Sequence, residues 1–317
     1  MIERNEPALK PAIFLKAIIC SALIFFSALM PLRSQDSLSL NSPPKINKTR
    51  LFTSLGVEAA AYAGLASYLE LIWYKDKPSA PFHLDHDFKG YQQVDKFGHV
   101  FGSYYEGYIG YNLLRFSGVK KTPSLLLGGT LGLIMQTPIE IFDGIHESWG
   151  WSWGDILANT IGTSLFIGQE LLFDDQVVKY KVSWHKSPYP FRASGEPVKP
   201  ELRNLFDYNS QTYWLSVPLK KIMPASKIPP WICVAAGYGA TGMYGKYENL
   251  TSYNGVPVPP TDRYRKYMLT MDIDWTKVKT DSKFLRAVFD CLFFVKLPFP
   301  ALEYNSLGQF KGHWLYY

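Results

Sequence analysis

The sequence predicts an α+β protein in which an N-terminal helical bundle with a polar inter-helix seam is followed by a smaller region of antiparallel strands. Helical periodicity dominates up to about residue 180, and apolar/polar alternation is found mainly after it. Three of the helices carry a narrow polar stripe on an otherwise apolar surface, the reverse of an ordinary soluble helix. We expect these stripes to face one another inside the bundle. The alternative is that each stripe is the only solvated side of a helix buried nearly all round.

The first 34 residues are typical of a secretory signal peptide. Lys10 and Lys16 form a short charged region, and residues 17–30 are an apolar run suited to the core of a signal and short for a membrane-spanning helix. We expect cleavage after Ser34, and a retained membrane anchor is the alternative. Cys20 lies within the apolar run, so lipidation there is a further open possibility.

Residues 35–49 are polar, contain two adjacent prolines and are predicted to be a linker. Residues 50–180 are predicted to form the helical bundle, beginning with a helix over about residues 51–74. Small residues recur every four positions along that helix, a pattern that favours close packing against a neighbouring helix. These small residues are Gly56, Ala60 and Gly64.

Three striped helices are predicted next, over about residues 94–116, 122–143 and 155–173. Residues three or four positions apart share one face of a helix, and this spacing defines each stripe. The stripes consist of Asp95, His99, Gly102 and Glu106 on the first helix, Gly129, Gly132, Gln136, Glu140 and Asp143 on the second, and Asp155, Asn159, Gly162, Phe166 and Gln169 on the third.

The stripes concentrate acidic, amide and imidazole side chains, and buried charges of this kind need partners. We expect the carboxylate of Asp95 to orient His99 one turn later; the alternative is a helix-capping Asp and a hydrogen-bonded core His. A converged network would suit proton transfer or cation binding. The predicted catalytic residues are His99, Asp95, Glu140 and Asp155, and the predicted ligand-binding residues are Lys96, Gln136, Asp143 and Asn159.

No sequence motif identifies a cofactor or a metal. The chain has no His-Glu-x-x-His pattern and no paired cysteines of the kind that bind zinc, so both the cofactor and the metal stay unknown. The net charge of +6 is not concentrated in a dense cluster. We therefore expect no nucleic-acid partner, and we expect membrane lipid or envelope components as partners; the sequence leaves the oligomeric state unknown.

The bundle is predicted to rest on a membrane or partly within it. Residues 122–139 contain no charged side chain, and the length of this uncharged segment is close to that of a membrane-spanning helix. Acidic residues interrupt the other helices. Tryptophans alternate at Trp149, Trp151 and Trp153. Such a density of aromatic rings favours a membrane interface or a sugar-stacking surface, and core packing is an equal alternative.

Residues 181–317 are predicted to be rich in strands. Residues 213–217 and 267–275 and parts of 231–244 alternate in polarity, and residues 284–296 are compatible with either helix or strand. The final residues resemble the last strand of outer-membrane barrels, but the strands are too few for a full barrel, so we expect a small twisted sheet packed on the helices. Cys233 and Cys291 are predicted to be either a disulfide or buried free thiols.

An ordered set of motifs resembles an uncharacterised bacterial family of predicted periplasmic lipoproteins, many of them from the Bacteroidetes. The motifs are Asp95-Lys96-x-x-His99, the run from Gln136 to Gly144, Ser152-Trp153-Gly154-Asp155-x-x-Ala158-Asn159-x-x-Gly162, and the run from Asp207 to Val217. The last run is similar to the version of the family with a long C-terminal extension. The first three motifs are also remotely similar to VanZ-like membrane proteins, which are linked to glycopeptide resistance. The resemblance implies a location in the cell envelope and no particular reaction.

These observations predict an exported protein of the cell envelope that faces the periplasm and associates with a membrane, the outer membrane being favoured. The first hypothesis is a structural or binding component. The alternative is a hydrolase-like enzyme acting on a lipid or cell-wall substrate, with His99 as general base or acid, Asp95 as its orienting group, and Glu140 and Asp155 as partners for a proton or a cation. A third hypothesis, transport through the seam, requires membrane spans that the hydropathy barely provides.

Overall fold

A computed structural model describes residues 45–74, 78–193, 207–253 and 255–317 and confirms the α+β class. Helices occupy residues 48–173, and an antiparallel sheet forms most of the remainder. The predicted signal peptide, Cys20 and most of the predicted linker lie outside the described residues.

Helix α1, Lys48–Tyr68, begins where the Asn47 side chain accepts a hydrogen bond from the amide of Arg50, and it continues into a π-helical turn, Leu69–Trp73. The predicted close packing of its small residues is wrong. A Cβ added at Gly56 would meet nothing within 4 Å, and the same holds at Gly64. The helix instead turns the buried Ser54 toward its neighbour and leaves the glycine face open.

Helix α2, Val94–Phe116, is the central element, and its bounds are those that the sequence predicts. It follows a 3-10 turn, Gly90–Gln93, in which three non-glycine residues have positive φ. One side of α2 packs against two other helices of the bundle, and the opposite side packs against the sheet. Its polar stripe and its aromatic face therefore have different neighbours.

The prediction of a single helix over about residues 122–143 is wrong. The structure has α3, Lys121–Leu127, and α4, Leu131–Gly144, joined by a turn at residues 128–130. Two adjacent glycines weaken the helix there. A Cβ on Gly128 would lie 2.4 Å from the backbone of Gly110, so the turn lies directly against α2. Gly129, which the sequence analysis placed on the polar stripe of the second helix, therefore lies in the turn before α4.

Helix α5, Trp153–Phe173, begins two residues before the predicted start, and its N-cap is Ser152, whose Oγ accepts from the amide of Asp155 at 3.1 Å. Two short strands, β1 (Leu84–Asp85) and β2 (Trp151–Ser152), pair in parallel just before the starts of α2 and α5. This pairing brings the N-termini of α2 and α5 to the same end of the bundle, where α4 ends.

The sheet has six antiparallel strands, which lie side by side in the order Phe310–Tyr316, Phe299–Asn305, Tyr264–Ile273, Ile232–Thr241, Gln211–Pro218 and Lys179–Trp184. The segments predicted to be strands are confirmed, and the ambiguous stretch after residue 283 begins as a helix. The remaining elements are β3 Lys179–Trp184, a 3-10 turn Tyr208–Ser210, β4 Gln211–Pro218, α6 Leu219–Ile222, β5 Ile232–Thr241, β6 Ser252–Tyr253, β7 Val256–Pro257, β8 Tyr264–Ile273, a 3-10 turn Trp275–Lys277, α7 Lys283–Cys291, β9 Phe299–Asn305 and β10 Phe310–Tyr316.

The helices and the sheet share one hydrophobic core, which is mainly aromatic. Tyr104 of α2 and Phe166 of α5 pack edge to face at 6.1 Å between ring centroids, and both belong to the same buried cluster as Tyr180 of β3 and Tyr213 of β4. The hydroxyl of Tyr104 donates to Gln176, so its polar end is also satisfied. The core thus joins the two parts of the chain.

Apolar side chains also cover much of the outer surface. Lys121–Gly144 and Trp153–Phe173 are long and apolar enough to cross a membrane, and less than half of each is buried. On the sheet, Leu269 and Leu302 are exposed, while the opposite face buries Lys181 against Asp272. Cys233 is a buried free thiol, so the disulfide alternative with Cys291 is wrong.

Candidate active site

Six of the eight residues selected from the sequence meet at one end of the bundle. We call this group the polar seam: Asp95, Lys96 and His99 from α2, Glu140 from α4, and Asp155 and Asn159 from α5. The close approach of the three helices depends on residues without side chains. An added Cβ would lie 2.0 Å from the Ser103 carbonyl oxygen at Gly132 and 2.2 Å from the Ser103 hydroxyl at Gly162.

His99 is in contact with both other helices of the seam. Its Nδ1 lies 3.2 Å from the side-chain oxygen of Asn159 and 3.8 Å from Glu140 Oε1, and its Nε2 lies 3.5 Å from Asp155 Oδ1. An amide oxygen only accepts hydrogen bonds, so Nδ1 donates to Asn159 and Nε2 faces Asp155. The structure therefore gives Asp155 the position beside the imidazole that the sequence analysis assigned to Asp95.

Lys96 lies among three carboxylates. Its ammonium nitrogen is 2.6 Å from Asp87 Oδ2, 2.7 Å from Asp155 Oδ1 and 3.2 Å from Asp95 Oδ2. Burial alone would lower the pKa of Lys96, but the negative charges of Asp95 and Asp155 raise it well above its usual value. The lysine is therefore a permanent positive charge at the centre of the seam.

Glu140 is fully buried, and no side chain in the described part of the protein forms a hydrogen bond with its carboxyl oxygens; the backbone of Ser152 is the one hydrogen-bonding group that opposes the rise in its pKa. Burial raises its pKa to about 9, and the negative charges of Asp155, Asp143 and Asp95 add to this effect. The carboxyl group is consequently neutral at pH 7 and can donate a proton.

The two aspartates that contact Lys96 within the seam have opposite pKa shifts. Burial opposes the ionisation of Asp95, but the charges of His99 and Lys96 and a hydrogen bond from Tyr208 outweigh it and lower the pKa of Asp95. Burial raises the pKa of Asp155, as does the charge of Asp95, and the cations only partly offset the increase. The seam therefore holds an ionised carboxylate next to a more basic one.

The other two selected residues lie outside this group. Asp143 accepts a hydrogen bond from the hydroxyl of Tyr74, and burial raises the pKa of Asp143 to about 7. Gln136 donates to Glu106 Oε1 at 2.8 Å, about two turns along α2 from His99. Burial raises the pKa of Glu106 to about 8, with Gln136 opposing the shift. Gln136 and Glu106 form a second polar pair between α2 and α4.

The sequence analysis missed several residues that complete the site. Asp87, in the loop before α2, contacts Lys96 and also accepts from Ser152, the N-cap of α5. Tyr208, just before β4, donates to Asp95. Asp87 and Tyr208 both lie outside the three striped helices, so helical periodicity could not identify them. The motif spanning residues 207–217 was the available signal for Tyr208.

Three residues of the seam can supply ligands to a cation. Asp95, His99 and Asp155 each offer one ligand atom, and these atoms lie within 4.8 Å of one another. One imidazole nitrogen and two carboxylate oxygens suit a divalent ion such as zinc or manganese. The ammonium of Lys96 already supplies positive charge to Asp95 and Asp155, so a bound ion would share these ligands with the lysine.

Exposed apolar side chains surround this end of the bundle. Trp153, at the start of α5, is 55% exposed, and its ring contacts that of Trp151 edge to face. Phe82, Leu84 and Phe88, from the loop before α2, are also at least half exposed. We call these five residues the apolar rim. They place a hydrophobic surface at the end of the bundle that holds the polar seam.

The comparison with known families gives one match. Residues 88–168 match the family described as predicted periplasmic lipoprotein (DUF2279). The matched segment includes every residue of the polar seam and stops before the sheet. The similarity supports an exported, envelope-associated protein of unknown role. No curated protein and no solved structure matches the chain.

Proposed function

We propose that the protein is a hydrolase-like enzyme of the cell envelope that acts on a lipid or cell-wall substrate at a membrane surface. The observation that carries this proposal is the position of His99. Its imidazole is fixed by Asn159 on one side and lies against Asp155 on the other. An oriented imidazole next to a carboxylate is the arrangement of a general base or acid.

The remaining groups of the seam have complementary roles in this proposal. Glu140 lies 3.8 Å from His99 and is the partner for proton transfer. Lys96 supplies a fixed positive charge where negative charge develops on an attacked substrate. Asp95 and Asp87 position Lys96, and Tyr208 positions Asp95.

The apolar surface defines the class of substrate. The apolar rim lies at the end of the bundle that holds the seam, and the exposed faces of α4 and α5 extend from it. Aromatic side chains are enriched at membrane–water interfaces, and apolar faces of this kind bind the surface of a bilayer. A substrate with an apolar part in the membrane and a polar group at its surface would therefore meet His99.

A structural or binding role is the second candidate, and the contacts of Lys96 favour it. The ammonium joins the loop before α2 to α2 and α5 through three carboxylates, which is a complete ion network without any ligand. In that case the seam would stabilise the bundle, and removing His99 would change stability rather than chemistry.

The test separates chemistry from folding by means of two conservative variants, His99→Asn and Glu140→Gln. Each would be produced in a strain that lacks the native gene and scored for envelope phenotype, for thermal stability, and for conversion of an envelope lipid extract measured by mass spectrometry. His313→Asn is the matched control, because His313 pairs with Glu303 at 2.8 Å in the sheet, away from the seam.

We expect both seam variants to lose the phenotype and the lipid conversion while retaining their melting temperature, and the control to behave like the unmodified protein. Loss of function that follows loss of stability in both seam variants, with the control unaffected, would support the structural role instead. Full function in His99→Asn would overturn the proposed enzyme.

A further inference from the structure

A cavity distinct from the polar seam lies where β8 ends. It has a volume of about 440 Å³, within the range of about 300–1,000 Å³ that is usual for small-molecule sites. The segment before β5, the last residue of β8 and the 3-10 turn that follows it form its walls. The lining residues are Pro230, Trp231, Ile273, Trp275, Lys277, Val278 and Lys279.

The walls are apolar, with one unsatisfied donor. Trp231 and Trp275 contribute indole rings, and the ring of Trp275 is held against Phe289 at 5.3 Å between centroids. The indole nitrogen of Trp275 is buried and has no hydrogen-bond partner. An indole N–H can only donate, so this group requires an acceptor that the described residues do not supply.

Two lysines add positive charge to the lining. Lys277 pairs with Asp175 at 2.7 Å, and both side chains are about one-third exposed. Lys279 is exposed and makes no ion pair within the described part of the chain. An apolar cavity with a buried donor and cationic side chains suits a ligand that combines an apolar body with an anionic group.

We propose that this cavity binds an anionic amphiphile, with its acyl chain between the two indole rings and its phosphate or carboxylate group accepting from Trp275 and pairing with Lys279. The site uses none of the residues of the polar seam. Its existence is therefore independent of the proposed enzyme, and a protein without catalytic activity would still bind this class of ligand.

Calorimetric titration of the full chain, with each amphiphile kept below its micelle concentration, tests the ligand class. The probes are dodecyl phosphate and dodecanoate, which join chain to anion, dodecyl maltoside, which has a neutral sugar head, and inorganic phosphate, which has no chain. We expect one site for each of the first two probes, weaker binding of the maltoside and no binding of inorganic phosphate. Equal affinity for the maltoside would overturn the anionic class, and binding of phosphate alone would overturn the need for a chain.

Substitutions locate the site. Trp275→Phe keeps an aromatic ring and removes the N–H, and we expect about a tenfold loss of affinity, the effect of one hydrogen bond to a charged acceptor. Lys279→Gln should weaken both anionic probes and leave the maltoside unchanged. Trp314→Phe and Lys311→Gln are matched controls on the exposed strand β10 and should have no effect.

The same titrations with His99→Asn separate this proposal from the proposed enzyme. Unchanged binding in His99→Asn together with weaker binding in Trp275→Phe would support the cavity as an independent site. Unchanged affinity in both Trp275→Phe and Lys279→Gln, with each variant shown by circular dichroism to be folded, would overturn it.

Discussion

The hydroxyl of Tyr208 donates a hydrogen bond to Asp95 across a separation of 113 residues along the chain. Tyr208 belongs to the strand-rich part of the protein, and Asp95 opens the central helix of the bundle. The candidate active site is therefore completed by the sheet region, although all six residues of the polar seam come from the helices.

Removing this hydroxyl should weaken both stability and function. We expect Tyr208→Phe to lose about 1.5–3 kcal/mol in the free energy of unfolding, the range for a hydrogen bond to a charged group, measured by urea denaturation. The control is Tyr104→Phe, which removes a buried hydroxyl bonded to Gln176 outside the seam. The control should lose stability without losing the envelope phenotype; equal effects of both variants on phenotype would contradict a special role for Tyr208.

Lys96 should be far more important for stability than a surface lysine. Lys96→Met leaves the carboxylates of Asp87, Asp95 and Asp155 without their shared cation, and we expect a loss of about 3–5 kcal/mol. Lys277→Met breaks an ion pair with Asp175 in which both side chains are about one-third exposed, and it should cost less than about 1 kcal/mol. Comparable unfolding free energies for the two variants would show that the seam does not depend on the lysine.

The buried Glu106 should make stability depend on pH. Its pKa is raised from 4.5 to about 8, so the folded state retains a proton that the unfolded state releases, and stability should decrease as the pH rises from about 4.5 to 8 and then level off. Glu106→Gln should remove the part of this decrease that Glu106 contributes, while Glu140 and Asp143 still contribute theirs, and be more stable than the unmodified protein at pH 8 by on the order of 1–3 kcal/mol.

Denaturation at pH 5 and at pH 8 measures this difference. The two proteins should have similar stability at pH 5, where Glu106 is protonated in the folded state. Glu147→Gln, at an exposed position, should follow the profile of the unmodified protein. A Glu106→Gln profile parallel to that of the unmodified protein at both pH values would exclude Glu106 as the source of the dependence.

Two glycines of α5 should respond to alanine in opposite ways. A Cβ at Gly162 would lie 2.2 Å from the Ser103 hydroxyl and 2.3 Å from the Val100 carbonyl oxygen, so Gly162→Ala should separate α5 from α2 and cost about 2 kcal/mol or more. A Cβ at Gly168 would meet nothing within 4 Å, and Gly168→Ala should stabilise the helix by about 0.5–1 kcal/mol. Thermal melting of both variants checks the sign of each effect.

The exposed apolar face of α5 should bind lipid. Leu157 and Ile161 lie one turn apart on this face and are both about half exposed. We expect the double variant Leu157→Glu, Ile161→Glu to sediment with phospholipid vesicles at least tenfold less than the unmodified protein and to keep its melting temperature. Ile222→Glu, at an exposed position on α6, should sediment normally. Unchanged sedimentation of the double variant would exclude this face from membrane contact.

Helical spacing selected residues that the structure brings together, because these residues recur within regular helices; their role in a site stays a prediction. Asp95 and His99 on α2, Glu140 on α4, and Asp155 and Asn159 on α5 all lie on stripes that follow from a period of 3.6 residues. The same reasoning gave the bounds of α2 correctly. It could not distinguish which carboxylate lies next to His99, because that depends on the relative rotation of two packed helices.

Helical spacing could not predict the features that depend on close contact between distant segments of the chain. The break between α3 and α4 reflects the approach of Gly128 to the backbone of Gly110, and the exposed glycine face of α1 reflects which neighbour that helix meets. Asp87 reaches Lys96 only because β1 and β2 pair in parallel and align two loops. A single sequence shows the helical or strand periodicity of each element, but it does not show which distant segments contact one another.

The long separation between Tyr208 and Asp95 also has a consequence for the order in which an exported chain matures. The bundle leaves the translocation channel before the tyrosine does, so its helices can assemble while Asp95 is paired with Lys96 and still lacks the hydrogen bond from Tyr208. The contacts of the polar seam are then complete only after this later segment has emerged.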